Sequence, residues 1–230
     1  MASMPSPTLA ATGISFAHSG ADVLHDVTVR LRPGELTALA GPNGSGKSTL
    51  LEVLAGALPP RRGTVRRVGD AALVVQRPSA PATLPVTARD VAVMGAWRRS
   101  SAGPRGARGS AGRRPRAGRS SRAATRGAVD AALDRVGMLD QAARPLAELS
   151  GGQRQRVFLA QGIVRSPDIL LLDEPAAGLD EHSTARMHAI LAEEAARGAI
   201  VVCVTHDGAA IAAADRTIRL AGGRLLAAER

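Results

Sequence analysis

The chain has no tyrosine, one tryptophan and two phenylalanines in 230 residues, so its core must be built from Ala, Val, Leu and Ile. A single cysteine, Cys203, excludes an internal disulfide and fits a reducing compartment. No stretch approaches the roughly 18 consecutive apolar residues that span a bilayer. The opening residues, MASMPSPTLAATG, lack the basic-then-apolar pattern of a secretory leader. A soluble cytoplasmic protein is expected. Lysine is scarcest of all: among 30 Lys and Arg residues, only Lys47 is lysine. A GC-rich genome drives Lys codons towards Arg wherever either serves. The surviving lysine therefore marks a place where a compact ammonium cannot give way to a planar guanidinium.

What is present suits one α/β domain with an embedded subdomain, since 45% of the residues are hydrophobic. The net charge of +10 suggests a polyanion partner until it is located. Residues 98–127 hold ten arginines and no acid, which leaves the rest of the chain formally neutral. This segment, rich in Arg, Gly, Ser and Ala, cannot bury enough apolar surface to offset its ordering entropy and reads as a flexible, disordered loop. It is either a contact for anionic lipid headgroups or a neutral spacer, since long loops cost little extra closure entropy. It has no aromatic residue on which bases could stack, so no specific nucleic-acid partner is expected.

Periodicity supplies the architecture. Val27, Val29 and Leu31 alternate with polar neighbours, and Thr12–Leu31 reads as a hairpin turning at Ser19-Gly20-Ala21-Asp22. Leu36–Ala40, Ala71–Gln76, Asp168–Asp173 and Ala199–Thr205 are apolar runs of strand length, as in a parallel sheet covered on both faces. Leu50, Leu54 and Leu58 describe a helix ended by Pro59-Pro60, and residues 128–149 read as helical with Val129, Leu133 and Val136 on one stripe. Thr217–Ala227 reads as a closing hairpin around Gly222-Gly223.

Three motifs carry chemistry. Gly41-Pro42-Asn43-Gly44-Ser45-Gly46-Lys47-Ser48, between a strand and a helix, fits G-x-x-x-x-G-K-[ST]. Its glycines let backbone N–H groups and the helix N-terminus face phosphate oxygens. Lys47 reaches the β- and γ-phosphates, Ser48 offers a hydroxyl to Mg²⁺, and Thr49 continues the nucleotide-binding stretch. Ile169–Asp173 is an apolar strand ending in two carboxylates, with Asp173 placed to hold Mg²⁺ and Glu174 to polarise water. Leu149-Ser150-Gly151-Gly152-Gln153 is a second helix start built to meet an anion, with Ser150 as N-cap.

That last run matches the ABC signature letter for letter, and the chain resembles an ABC ATPase over all but residues 98–127. The resemblance implies a P-loop α/β core over about 1–90 and 150–230, with an N-terminal antiparallel β portion. A helical subdomain over about 91–149 would carry the signature at its end. It further implies that Gln76 is the Q-loop glutamine touching both Mg²⁺ and the membrane subunit. Gly178-Leu179-Asp180 is then the D-loop, and His206 the switch residue facing the γ-phosphate. Two such subunits, expected to be identical, would sandwich ATP between the P-loop of one and the Ser150, Gly151, Gly152 and Gln153 of the other. The aromatic residue that stacks adenine in the family is here aligned with His18, which is either a stacking group or a plain turn histidine. Val75-Gln76-Arg77 and Leu84-Pro85-Val86-Thr87-Ala88-Arg89-Asp90-Val91-Ala92-Val93-Met94-Gly95 resemble zinc/manganese-type metal importers. The expected partners are a permease and an extracytoplasmic metal-binding protein, with the subunit on the cytoplasmic face of the membrane. Siderophore, haem and cobalamin importers are the alternative. A nucleic-acid-associated ABC ATPase is disfavoured, because this chain has neither a coiled-coil insertion nor a second cassette.

Overall fold

The computed structural model describes residues 6–18, 20–75, 85–97 and 119–226. Strands β1 (Thr8–His18) and β2 (Ala21–Leu31) form the expected hairpin, paired from Leu9↔Leu31 to His18↔Ala21. With β4 (Arg62–Val68) they make a three-stranded antiparallel sheet in the order β2-β1-β4. A second sheet runs β5-β6-β7-β3-β8-β9. Its members are β3 (Glu35–Ala40), β5 (Ala71–Val74), β6 (Ile169–Asp173), β7 (Ile200–Val204), β8 (Arg216–Ala221) and β9 (Arg224–Leu225). The first five pair in parallel, and β9 turns back antiparallel on β8 as the closing hairpin.

The apolar runs of β6 and β7 explain the layering. Side chains alternate across a strand, so Ile169, Leu171, Ile200 and Val202 enter a core shared with the antiparallel sheet and α1 (Lys47–Ala55). Leu170, Leu172, Val201 and Cys203 enter a second core on the other face. That core contains residues of α2 (Ala88–Ala96), α3 (Arg119–Arg135), α4 (Gly151–Ile163) and α5 (Glu181–Ala196). A short α6 (Gly208–Ala213) precedes β8.

Two helices depart from the sequence pattern. Helix α1 stops at Gly56, in the left-handed region at φ 74°, three residues before Pro59. Helix α3 stops at Arg135 rather than running to residue 149, because Gly137 turns left-handed and Met138 N–H closes back on Leu133 O at 2.8 Å. Its start is also earlier than expected: residues 119–127, read as loop, are helical here. Arg and Ala are good helix formers, and a helix already nucleated by the packed Val129–Leu133 stripe extends through them at little cost.

Thr87 caps α2 through a reciprocal box with Asp90, which fixes where the helical layer begins. Gly95, near the other end of α2, sits against α4: a Cβ there would lie 1.9 Å from the Gln161 carbonyl oxygen. The glycine that closes the importer-like stretch is thus explained by helix packing, not by a partner. Gly95→Ala must push α2 off α4, and overpacking of this kind costs about 1–3 kcal/mol. The melting temperature should fall by roughly 2–10 °C for a domain of this size. A Gly95→Ala protein melting with wild type would show that the two helices have slack.

Candidate functional site

The site lies at the C-terminal ends of parallel strands, where an open α/β sheet presents its loops. The last residues of β3, Leu39 and Ala40, are buried and lead into Gly41. A Cβ on Gly41 would fall 2.0 Å from the Leu220 carbonyl oxygen, so only glycine lets the turn begin here. Gly46, left-handed at φ 97°, starts α1 without a side-chain cap, and the first turn of α1 contains no acid. Its leading N–H groups and positive dipole end are therefore left for an anion from outside the chain. Ser45 Oγ, buried in the same turn, has no hydrogen-bond partner among the described residues. Both features fit a phosphate group.

Lys47 is 6% exposed, and its Nζ donates to the carbonyl oxygens of Gly41 (2.8 Å) and Pro42 (2.9 Å). The ammonium is folded over its own loop, satisfied and ready to exchange carbonyl for phosphate oxygen. Ser48 sits beside Asp173, at the end of β6. Asp173 is half buried, and desolvation holds its carboxyl above the ordinary range. The Ser48 hydroxyl beside it opposes that shift, the Glu174 charge adds to it and the Lys47 charge opposes it.

Glu174 follows in the left-handed region at φ 45°, a conformation costing a non-glycine residue about 1–2 kcal/mol. Its N–H donates to Val204 O at 3.0 Å, which continues the β6–β7 ladder by one bond and holds the strained residue in place. The side chain then meets His206, with Nδ1 3.2 Å from Oε1. Glu174 also lines an open cleft of about 500 Å³ with Val23, Asn43, Gly44, Gly46, Lys47, Ser48 and Thr49.

Thus Gly41 to Thr49, Asp173, Glu174 and His206 converge. Val23, on β2, is an apolar wall of the cleft that no motif singles out. His18 does not line the cleft; it is exposed at the end of β1, its ring 5.9 Å from that of Phe16 at a tilt of 40°. Gln76 lies outside the described residues.

The Ser150 segment forms a separate site. Ser150 Oγ accepts from Gln153 N–H at 3.2 Å, while Gln153 Oε1 accepts from Ser150 N–H at 2.9 Å. This box fixes the start of α4 and leaves Ser150 and Gly151 exposed. Gly152 packs on the next loop, where a Cβ would lie 3.2 Å from Gly178 O and 3.3 Å from Leu179 Cδ2. Asp180 in that loop caps α5 through Ser183 N–H at 2.7 Å, and this bond lowers the Asp180 pKa.

The raised pKa of Asp173 has a consequence for stability. An acid whose folded pKa exceeds its unfolded value binds protons more tightly when folded, so stability falls as pH rises through the window just above the ordinary 3.8. Asp173→Asn should therefore raise the melting temperature of the nucleotide-free protein at neutral pH and remove that part of its pH dependence. An unchanged or lowered melting temperature at neutral pH would show that the carboxylate is not destabilising.

A phosphate-cradling turn facing paired carboxylates across a parallel sheet defines a P-loop nucleotide hydrolase. The sequence model described as "ABC transporter" matches residues 24–177, and the chain belongs to that family as an ATP-binding, ATP-hydrolysing component. It is 39% identical over 203 residues to the zinc import ATP-binding protein ZnuC of Cereibacter sphaeroides, covering 86% of this chain and 73% of that one. It is 34% identical over 241 residues to the hemin import ATP-binding protein HmuV of Rhodopseudomonas palustris, covering 95% and 81%. Among solved structures, a chain of an inward-facing "metal-chelate type ABC transporter" superposes with a TM-score of 0.75 at 26% identity, covering 96% of this chain and 82% of that one.

Proposed function

We propose that this chain, as a single ATPase domain over residues 1–230, hydrolyses ATP to power uptake of a metal ion, zinc or manganese, through a separate permease. The observation that carries the ATPase reading is one cleft lined by Lys47, Ser48 and Glu174, with Asp173 beside Ser48 and His206 against Glu174. ATP is the substrate. Its phosphates lie against the N–H groups of residues 43–48, and Lys47 Nζ leaves the Gly41 and Pro42 carbonyls for the β- and γ-phosphates. Ser48 Oγ and the Asp173 carboxylate, close enough for the hydroxyl to bear on the acid's titration, form an oxygen pair suited to Mg²⁺. Gln76 completes that set. When bound, the ion neutralises charge on the β- and γ-phosphates. Glu174 accepts a proton from the attacking water, and His206 holds both the Glu174 carboxylate and the γ-phosphate side of the cleft. Val23 supplies apolar wall, and His18, outside the lining of the cleft, would meet adenine only from beyond its edge.

The exposed Ser150-Gly151 helix start, with Gly152 and Gln153, serves the nucleotide of a second cassette, which we take to be a second copy of this chain. Among the described residues no helix is long and apolar enough to cross a membrane. The subunit sits on the cytoplasmic face of the membrane, attached to its permease, with an extracytoplasmic metal-binding protein delivering cargo. No specific nucleic-acid partner is part of this reading.

The importer-like stretch around Gln76 to Gly95 and the zinc-import relative support the choice of cargo. The reconstituted complex should raise its ATPase rate with a zinc- or manganese-loaded binding protein. Stimulation only by a haem- or siderophore-loaded partner would transfer the assignment to the alternative importers.

A further inference from the structure

We infer that Thr205 is a positioning residue for His206, a role that deepens the catalytic reading above and rests on it. The His206 side chain is 71% exposed, and its ring Nδ1 lies 3.2 Å from Glu174 Oε1. A ring that exposed is not held by packing of its own. Its direction is set by the backbone that carries it. Thr205, immediately before it, is only 6% exposed. The Thr205 N–H donates to Leu39 O at 3.3 Å, on the strand that feeds the phosphate loop. Its Oγ1 accepts the N–H of Asp207 at 3.0 Å, closing a small ring around His206. Asp207 Oδ1 then accepts from Ala209 N–H at 3.0 Å and caps α6.

The backbone of His206 is therefore pinned on both sides: to β3 through Thr205 and to α6 through Asp207. Glu174 is pinned at the same level by its bond to Val204 O. Two side chains that must meet at 3.2 Å are carried on adjacent strand ends, and the Thr205 hydroxyl fixes the turn of one of them. Valine would fill the same buried volume, so packing alone gives no reason for a hydroxyl here. Removing it leaves the part-buried Asp207 N–H without its acceptor and lets the turn open.

The test compares steady-state ATPase kinetics of Thr205→Val, Thr205→Ser, His206→Ala and the Val/Ala double variant, with melting and ATP binding measured on each. Thr205→Val should lower kcat roughly tenfold with little change in KM for ATP, because the defect lies in placing a transition-state contact. Thr205→Ser keeps the oxygen and should restore kcat to within about twofold. The double variant should be no slower than His206→Ala alone, the non-additivity expected when one residue acts only through the other. If Thr205→Val does not fold, Thr205→Ala removes the same acceptor and takes its place. Wild-type kcat in the hydroxyl-free variant, failure of Ser to rescue, or additive losses in the double variant would each overturn the inference alone. An unchanged kcat in His206→Ala would remove the catalytic reading itself, and the inference with it.

Discussion

Replacing Glu174 by Gln is expected to lower ATP turnover by a factor of about 10² to 10⁴ while leaving ATP binding intact. The substitution is close to isosteric, and its consequences separate cleanly in this site. The amide oxygen still accepts from His206, the Glu174 N–H still bonds Val204 O, and the left-handed backbone at φ 45° is the same for either side chain. What disappears is the ability to take a proton from water. Nothing in the phosphate loop depends on that ability, since Lys47 and the N–H groups of α1 lie on a different element. The ATP-bound state should therefore accumulate, and with Mg-ATP the variant should elute in size exclusion at about twice the monomer mass. Steady-state hydrolysis and chromatography with and without nucleotide measure both effects. A variant hydrolysing at the wild-type rate would take Glu174 out of the proton-transfer role and leave Asp173 or the second cassette to supply it.

The residues around this chemistry differ in how readable they were from the sequence alone, and the difference is physical. Gly41 to Ser48 and Leu149 to Gln153 are contiguous, because a helix N-terminus meets its anion with neighbouring N–H groups. Such sites are written in short runs. Asp173 and Glu174 were readable because an apolar strand buried on both faces is itself a signal, and its end is where charge can begin. By contrast, the left-handed backbone of Glu174 depends on the β6–β7 ladder continuing one bond past Asp173. The need for glycine at position 95 depends on where Gln161, 66 positions further along the chain, falls on α4. Val23 reaches the cleft only because of how β2 lies against the start of α1. These facts belong to register and docking, which one strand or helix does not encode by itself. The misjudged helix ends have the same origin. Composition made residues 119–127 look like loop, but the packed segment that follows recruits them into α3. Pro59 looked like the stop for α1, but Gly56 offers the left-handed turn first.

The largest effect on nucleotide binding is expected at Lys47. Its ammonium is nearly buried, held by two backbone carbonyls of its own loop at 2.8 and 2.9 Å, with Asp173 close enough for the two charges to influence each other. Those carbonyls are suitable temporary partners, because a phosphate oxygen replaces them one for one when the side chain extends. A guanidinium cannot make the same exchange: it is planar, bulkier and fixed in the direction of its donors. Lys47→Arg should therefore weaken ATP binding by about a hundredfold or more, even though arginine serves at every other basic position in the chain. The sequence also permits a chemical version of the experiment. Lys47 is the only lysine, so an amine-directed acylating reagent can modify only this side chain and the N-terminal amine. Cys203 is a poor competitor, because it is buried and burial pushes its thiol up to about 12. Acylation should abolish ATP binding, and saturating ATP present during the reaction should protect both Lys47 and activity, with peptide mass spectrometry reporting occupancy. Complete modification of Lys47 with ATP affinity unchanged would mean that the helix N-terminus binds the phosphates without it. The ammonium would then serve only to hold the loop closed on itself.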